Sequence, residues 1–310
     1  MELSSSEVSS TLLALSNDLA GAVERAGHAV VAVNARPRMP SSGVHWRPGV
    51  IVTADHTIKR EEDITVMLPD GRSVSATLAG RDASTDLAVL KLPGGEVPTA
   101  EIGDSAALKV GHLVLAVARP GERGLSASMG VVSALSGAWR TWSGGQIDQF
   151  IRLDVTLYPG FSGGPLVDTQ GRVVGLNTSG PRSVVLAIPT ATVNRVVDQL
   201  LDKGRIARGY LGVGMQPIRL PDALKNTLNL SARGGIIVVA VEADSPAERA
   251  GMLIGDVLVA LDGRPVSDTA DVLAMLGPER VGHEVRAAII RGGVLSELTI
   301  LVGERPRREG

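Results

Sequence analysis

A serine sits among glycines in Pro159-Gly160-Phe161-Ser162-Gly163-Gly164-Pro165. Glycines let a backbone turn tightly, so that amide N–H groups face an oxyanion beside a hydroxyl nucleophile. The segment also spells Gly-x-Ser-x-Gly, a nucleophile turn that runs from a strand straight into a helix, with the acid and histidine further downstream. That requirement is not met. Pro165-Leu166-Val167 followed by Gln170-Gly171 reads as a strand and a turn, and His283 is the one histidine after Ser162. The other chain order places His, then Asp, before Ser. Of the five histidines, His56 ends the run Val50-Ile51-Val52-Thr53-Ala54-Asp55, and Asp86 opens the later apolar run Leu87-Ala88-Val89-Leu90. A polar group at a strand end is packed firmly while it faces a cleft, which suits a general base and its orienting carboxylate. Singly, each piece is ordinary: a loop histidine, a turn aspartate, a glycine-rich turn. Together and in order they are far more specific. Asp55 and Asp82, close to these residues in the chain, read as capping or turn residues.

The elements that must position these residues are mostly strands. Short aliphatic or β-branched runs recur at Val30–Val33, Val50–Thr53, Ile64–Leu68, Val74–Leu78, Leu87–Leu92, Leu113–Val117, Val131–Leu135 and Val173–Leu176. Turn residues separate them, and Asp70-Gly71 marks a hairpin, the spacing of a β-barrel or sandwich. A helix precedes them over 5–26, where Val8, Leu12, Leu15, Leu19 and Val23 recur at three and four residues. A second helix follows over 190–203, with Val193, Val196, Val197, Leu200 and Leu201 as its stripe and Gly204 as its stop. From Gly209 a second unit begins, with strands near Gly235–Val241, Val257–Leu261, Val285–Ile290 and Leu298–Val302 and helices near Ala247–Ala250 and Thr269–Leu276. The 310 residues suit two domains. Hydrophobic residues make up 44%, but there are only 3 Trp, 2 Tyr and 2 Phe, so the cores rest on Val, Leu, Ile and Ala.

Four pieces in order carry a resemblance: Val52-Thr53-Ala54-Asp55-His56, Asp70-Gly71-Arg72, Thr85-Asp86-Leu87-Ala88-Val89-Leu90-Lys91 and Pro159-Gly160-Phe161-Ser162-Gly163-Gly164-Pro165-Leu166. They resemble the HtrA/DegP family of serine proteases over residues 29 to 305. The resemblance implies a mainly β chain: an N-terminal helical segment (1–28), a trypsin-like double β-barrel (29–204), a PDZ domain (205–305) and a tail (306–310). It implies that His56 is the general base, Asp86 its orienter and Ser162 the nucleophile. The amides of Gly160 and Ser162 would form the oxyanion hole, with Phe161 joining according to the loop's conformation. Thr156, Leu157, Tyr158, Asn177, Thr178 and Ser179 would line the substrate pocket. None of them is acidic, which suggests a small or medium apolar residue before the cleaved bond. The implied activity is ATP-independent cleavage of unfolded or damaged proteins. The chain departs from the family at Phe161, where Asn is usual, at Ser41-Ser42-Gly43 and at Ala118-Arg119-Pro120. An apolar ring at 161 shifts the oxyanion loop or narrows the cleft in the rival reading, a catalytically weak scaffold that binds peptides.

In the second unit, Gly209-Tyr210-Leu211-Gly212-Val213 resembles the carboxylate-binding loop of a PDZ domain, which takes peptide C-termini. Tyr210, Leu211, Gly212 and Val213 would bind the peptide end. Leu273, with Val272 and Leu276 as alternatives, would supply the opposite wall. Relatives that form trimers use N-terminal aromatic contacts, and residues 1–45 hold no Phe, Tyr or Trp, so a homo-oligomer stays open. The chain has no cysteine, scattered histidines and no phosphate-binding loop, so no metal and no cofactor are expected. A net charge of −2 argues against nucleic acid as a partner. No apolar run approaches the ~18 residues that span a bilayer. No signal peptide is visible at Met1-Glu2-Leu3-Ser4, which favours the cytoplasm, with a periplasmic or exported location following from the resemblance.

Overall fold

The computed structural model describes residues 5–93, 98–121, 124–141, 144–179, 184–230 and 234–304. The chain divides into two compact units, Met1–Ile206 and Ala207–Gly310.

The first unit opens with helix α1 (Ser5–Gly27). Its C-terminal half is the part that docks: Ala22 and Ala26 are buried, and Leu19 and Val23 pack on the same cluster. Leu12, Leu13 and Leu15 are exposed, so the apolar stripe is not one continuous buried face. Strands β1 (Val30–Asn34), β2 (Ser41–Arg47), β3 (Val50–Thr53), β4 (Ile64–Met67), β5 (Ser73–Asp82) and β6 (Leu87–Lys91) close into a barrel in the order β1-β2-β3-β6-β5-β4. Strands β7 (Leu113–Ala118) and β8 (Ser126–Ser136) follow, then the small pair β9 (Trp139–Arg140) and β10 (Gln146–Ile147). With β11 (Phe150–Asp154), β12 (Pro165–Val167), β13 (Val173–Ser179) and β14 (Val185–Pro189), β7 and β8 close a second barrel in the order β11-β14-β13-β12-β7-β8.

Many of these strands are apolar on both faces, and the structure shows why. Val31, Val33, Ile51, Ala88 and Leu90 fill the first barrel. Their immediate neighbours Val30, Val50, Val52, Leu87 and Val89 join a different cluster, shared with Leu115, Val117 and Leu176 of the second barrel. Alternate residues point to opposite faces of a strand. A strand lying between two cores therefore needs an unbroken aliphatic run. Helix α2 (Thr190–Lys203) packs Val193, Val196, Val197 and Leu200 into the same shared cluster, each fully buried. Each such side chain contributes about 1.5–3 kcal/mol of apolar burial.

The second unit contains β15 (Gly209–Tyr210), β16 (Val213–Arg219), α3 (Asp222–Thr227), β17 (Gly234–Val241), α4 (Pro246–Arg249), β18 (Val257–Leu261), β19 (Arg264–Pro265), α5 (Thr269–Met275), β20 (Glu284–Arg291), β21 (Val294–Leu301) and β22 (Gly303–Glu304). Its main sheet runs β16-β17-β18-β20-β21, so β16 is an edge strand. Ile236, Val238, Leu258, Leu261, Val272, Val285 and Ile289 fill its core. Asp256 is almost wholly buried and accepts two hydrogen bonds from Arg291, at 2.8 and 2.7 Å.

Candidate active site

His56 lies on a single 3-10 turn, Asp55–Thr57, just beyond β3. Asp86 immediately precedes β6. Because β3 pairs with β6 in the register Thr53↔Ala88, the two strand ends arrive side by side. His56 Nδ1 lies 2.8 and 2.9 Å from the two carboxylate oxygens of Asp86, and the His56 amide donates to the same carboxylate at 2.8 Å. A carboxylate accepts, so Nδ1 carries the imidazole proton and Nε2 keeps its lone pair for a proton from elsewhere. Thr178, on β13, donates its hydroxyl to Asp86 Oδ2. The Asp86 backbone is in the left-handed region (φ 57°), and its carbonyl accepts from the Asp55 amide at 3.1 Å. Asp82 ties down the preceding turn, accepting from the Ser84 amide at 3.2 Å and the Thr85 hydroxyl at 2.7 Å, which is the turn role expected of it.

Asp55 plays a different part from the cap or turn residue expected. Its carboxylate is buried and paired with Arg81, whose guanidinium also reaches Glu61 and the carbonyls of Asp55 and Ile58. Burial pushes the Asp55 carboxyl above its ordinary value, and the hydrogen bond and charge of Arg81 oppose that shift. The ion pair fastens the turn that carries His56.

Ser162 sits on a turn closed by the Phe161 amide donating to Tyr158 O at 3.0 Å. Gly160 takes φ 93° there, and an added Cβ would lie 2.6 Å from Pro120 Cβ. Gly163 takes φ 82°, and its Cβ would lie 2.3 Å from Ser42 O. No side chain fits at either place without the backbone moving. Beyond the serine, the Gly163 amide donates to Asn177 O at 3.0 Å and the Gly164 amide to Phe161 O at 3.0 Å. Ser42, fully buried on β2, holds the other end. Its hydroxyl donates to Gly160 O at 2.7 Å and accepts from the Arg119 amide at 2.9 Å, while its own amide donates to Ser162 O at 3.2 Å. Arg119 is anchored in turn, its guanidinium donating to Val30 O at 2.8 Å and Gly27 O at 3.2 Å.

The amides of Gly160 and Ser162 have no hydrogen-bond partner among the described residues. Both are left free to donate. Phe161 is a correction: its amide is spent on closing the turn, so it does not join them. Its ring, 2% exposed, neither shifts the loop nor hangs in the cleft. It plugs the second barrel beside Val155 and Leu166 and meets Tyr158 edge-on at 5.7 Å.

The six residues expected to line the substrate pocket separate. Thr156 and Tyr158 are exposed, and Leu157 is half-buried against the second-barrel core. Asn177 and Thr178 are corrections. The Asn177 side chain is fully buried and donates to Pro165 O at 2.7 Å, and the Thr178 hydroxyl is engaged by Asp86. Ser179 ends β13, and its side chain lies outside the described residues. Ser42 and Arg119 brace the site although neither residue type marks them for it; both fall in segments where the chain departs from the family pattern.

In the second unit, the amides of Leu211 and Gly212 have no partner among the described residues, while their carbonyls accept from Ala247 at 2.9 Å and Glu242 at 2.8 Å. Fixed carbonyls hold the two amides in place for an anion. Val213 then begins the edge strand β16, and α5 runs beside it. Tyr210 donates its hydroxyl to Glu242. The Leu211 side chain is a correction: it is buried in the unit's core, so only its backbone is available to a ligand. Val272 and Leu276 are buried, which leaves the half-buried Leu273 as the α5 residue nearest solvent of the three. Among the described residues, no three metal-ligating side chains gather, and no helix is long and apolar enough to cross a membrane.

Residues 41–176 match a trypsin-like peptidase domain and residues 209–302 a PDZ domain, a peptide-binding fold. Over 264 residues the chain is 34% identical to a probable periplasmic serine endoprotease, DegP-like, of Halomonas elongata, covering 83% of this chain and 55% of that one. The counterpart in Pseudomonas savastanoi pv. phaseolicola is 36% identical, covering 83% and 54%. The chain thus spans about half the length of the curated relatives it matches. The solved HtrA-type protease AlgW with a decapeptide is 31% identical, with a TM-score of 0.74, covering 93% of this chain and 99% of that one. A serine endoprotease from Yersinia pestis has a TM-score of 0.73 at 31% identity, covering 94% and 98%. The chain belongs to the HtrA-type serine proteases, with a trypsin-like double barrel followed by a PDZ domain. The curated relatives are named periplasmic, and the cytoplasmic location favoured above finds no support in them.

Proposed function

We propose that this chain is a serine endopeptidase that cleaves unfolded or damaged polypeptides without ATP or metal. What carries the reading is one arrangement: an imidazole oriented by a carboxylate, together with a serine turn that leaves two amides unpaired. Ser162 Oγ passes its proton to His56 Nε2 as it attacks the scissile carbonyl. Asp86 stabilises the imidazolium that forms and stays ionised. The amides of Gly160 and Ser162 receive the oxyanion, each worth ~2.7–4 kcal/mol in the transition state. His56 then returns the proton to the leaving amine, and water repeats the cycle on the acyl-enzyme. The second unit takes peptide C-termini: the carboxylate meets the Leu211 and Gly212 amides, and the peptide adds as a strand to the edge of β16. The relatives' names support an exported, periplasmic location. The rival scaffold reading rested on Phe161 disturbing the turn, and it is not favoured, because the ring is buried and both oxyanion amides stay unpaired.

The test is cleavage of casein by wild type and Ser162→Ala, without ATP and with a chelator present. Wild type cleaves and the variant does not. A folded wild type that leaves casein intact, with C-terminal peptides added and across a range of pH, contradicts the proposal.

A further inference from the structure

A groove of about 850 Å³ opens beside the nucleophile turn within the first unit. Tyr158, Pro159, Phe161 and residues 120–121 and 126–127 line it from the second barrel, and residues of the first barrel complete the lining. Its main apolar walls are Met39, Pro40, Met67 and Tyr158. Strand alternation explains Met67: Ile64 and Val66 point into the barrel, which leaves Thr65 and Met67 on the outside, facing the groove. The segment bearing Arg38 and Met39 is braced from within, since Arg36 donates to Met39 O at 2.7 Å and to Pro40 O at 3.4 Å. Arg38 itself is exposed, lines the groove, and has no hydrogen bond or ion pair among the described residues. No carboxylate of the described residues lines the groove with it.

The reaction assigns a direction to this space. His56, which protonates the leaving amine, belongs to the first barrel, so the leaving segment departs on the first-barrel side of Ser162. The groove is bounded both by the first barrel and by the turn that carries Ser162. We propose that it is a recognition site for the substrate segment following the scissile bond. An apolar side chain packs on Met39, Met67 and Tyr158, and an acidic side chain beyond it meets Arg38. Methionine adapts to many apolar shapes, so the apolar choice is broad. An exposed arginine with no partner and no carboxylate beside it among the described residues selects charge more sharply. The inference rests on the endopeptidase reading for its direction, and its test separates the two.

The binding test uses full-length Ser162→Ala and fluorescent peptides carrying a Leu followed by Asp or by Lys. The peptides are amidated at the C-terminus, so that a carboxylate-binding loop does not hold them. Anisotropy shows tighter binding of the Asp peptide, and adding Arg38→Glu reverses the preference, about a tenfold change in the ratio of affinities. Adding Met67→Lys weakens both peptides. Unchanged binding of both peptides after Arg38→Glu overturns the proposal. The cleavage test maps casein cleavage sites by mass spectrometry for wild type and Arg38→Glu. Acidic residues are enriched about threefold at the second or third position after the bond for wild type, and that enrichment is lost in the variant. Identical sites for both proteins overturn the proposal. If wild type leaves casein intact, the endopeptidase reading fails, and the anisotropy result still decides whether the groove takes this ligand.

Discussion

The two barrels are each closed from six strands, yet they hold their parts of the active site by different means. The first fixes His56 and Asp86 through polar contacts: the two-oxygen contact to Nδ1, the His56 amide, the Asp82 turn and the buried Asp55–Arg81 pair. Its interior is aliphatic, with no aromatic side chain in its core cluster. The second barrel adds packing to the backbone hydrogen bonds that close the Ser162 turn. Among the described residues, Phe161 is the one aromatic in that barrel's core cluster, and it stands next to Ser162. Ser42 crosses from the first barrel to pin the Gly160 carbonyl. A base needs a defined tautomer and charge environment, which hydrogen bonds set. A turn that keeps the Gly160 and Ser162 amides free is held instead through its carbonyls, through neighbouring amides and by a ring packed behind it.

That contrast is open to being broken. Asp86→Asn removes the group that fixes the His56 tautomer, and kcat on a peptide substrate falls about 10⁴-fold with the fold intact by circular dichroism. Phe161→Ala empties the plug. Stability falls by about 3–5 kcal/mol in denaturant titration. Below the unfolding transition kcat drops about 10²-fold while KM holds, as for the loss of one oxyanion donor. Phe161→Leu restores most of both, because packing rather than aromaticity does the holding. Ser42→Ala leaves the Gly160 carbonyl and the Arg119 amide without their partner. It costs about 1–3 kcal/mol and lowers kcat about tenfold. Thr178→Val removes one of several donors to Asp86 and lowers kcat only several-fold, a loss of about 1 kcal/mol. If Phe161→Ala left kcat unchanged while Ser42→Ala abolished it, the two barrels would be held alike, by hydrogen bonds.

Much of this architecture is legible in the chain, and the exceptions have physical causes. Strands buried on both faces, such as β3 and β6, announce themselves as aliphatic runs. Strand β2 does not, because its buried Ser41, Ser42 and His45 are polar. Each is satisfied inside: Ser41 donates to Thr57 Oγ1 at 3.0 Å, and the His45 ring pairs with Pro98 O at 3.0 Å and accepts from the Gly49 amide at 3.1 Å. Strand β16 contains Pro217, which an edge strand tolerates but which breaks the pattern of a strand in sequence. Helix α1 reads as one amphipathic stripe, yet Leu12, Leu13 and Leu15 stay exposed while its second half packs on the core, since periodicity fixes a face and not its partner. At the site, residue types and order single out His56, Asp86 and Ser162. The hydroxyls that brace them come from β2 and β13, far away in the chain, and reach the site only through barrel closure. A pocket residue and a bracing residue look alike in sequence, as Thr178 shows.

The most direct measurement is the rate at which a fluorophosphonate labels Ser162, followed by intact mass and mapped by peptide sequencing. It requires an activated serine and reads no substrate preference. Wild type gains one adduct, on Ser162, and Asp86→Asn gains it about 10³-fold more slowly or slower still. A folded wild type that stays unlabelled at Ser162, or equal labelling rates for the two proteins, contradicts a triad assembled across the two barrels.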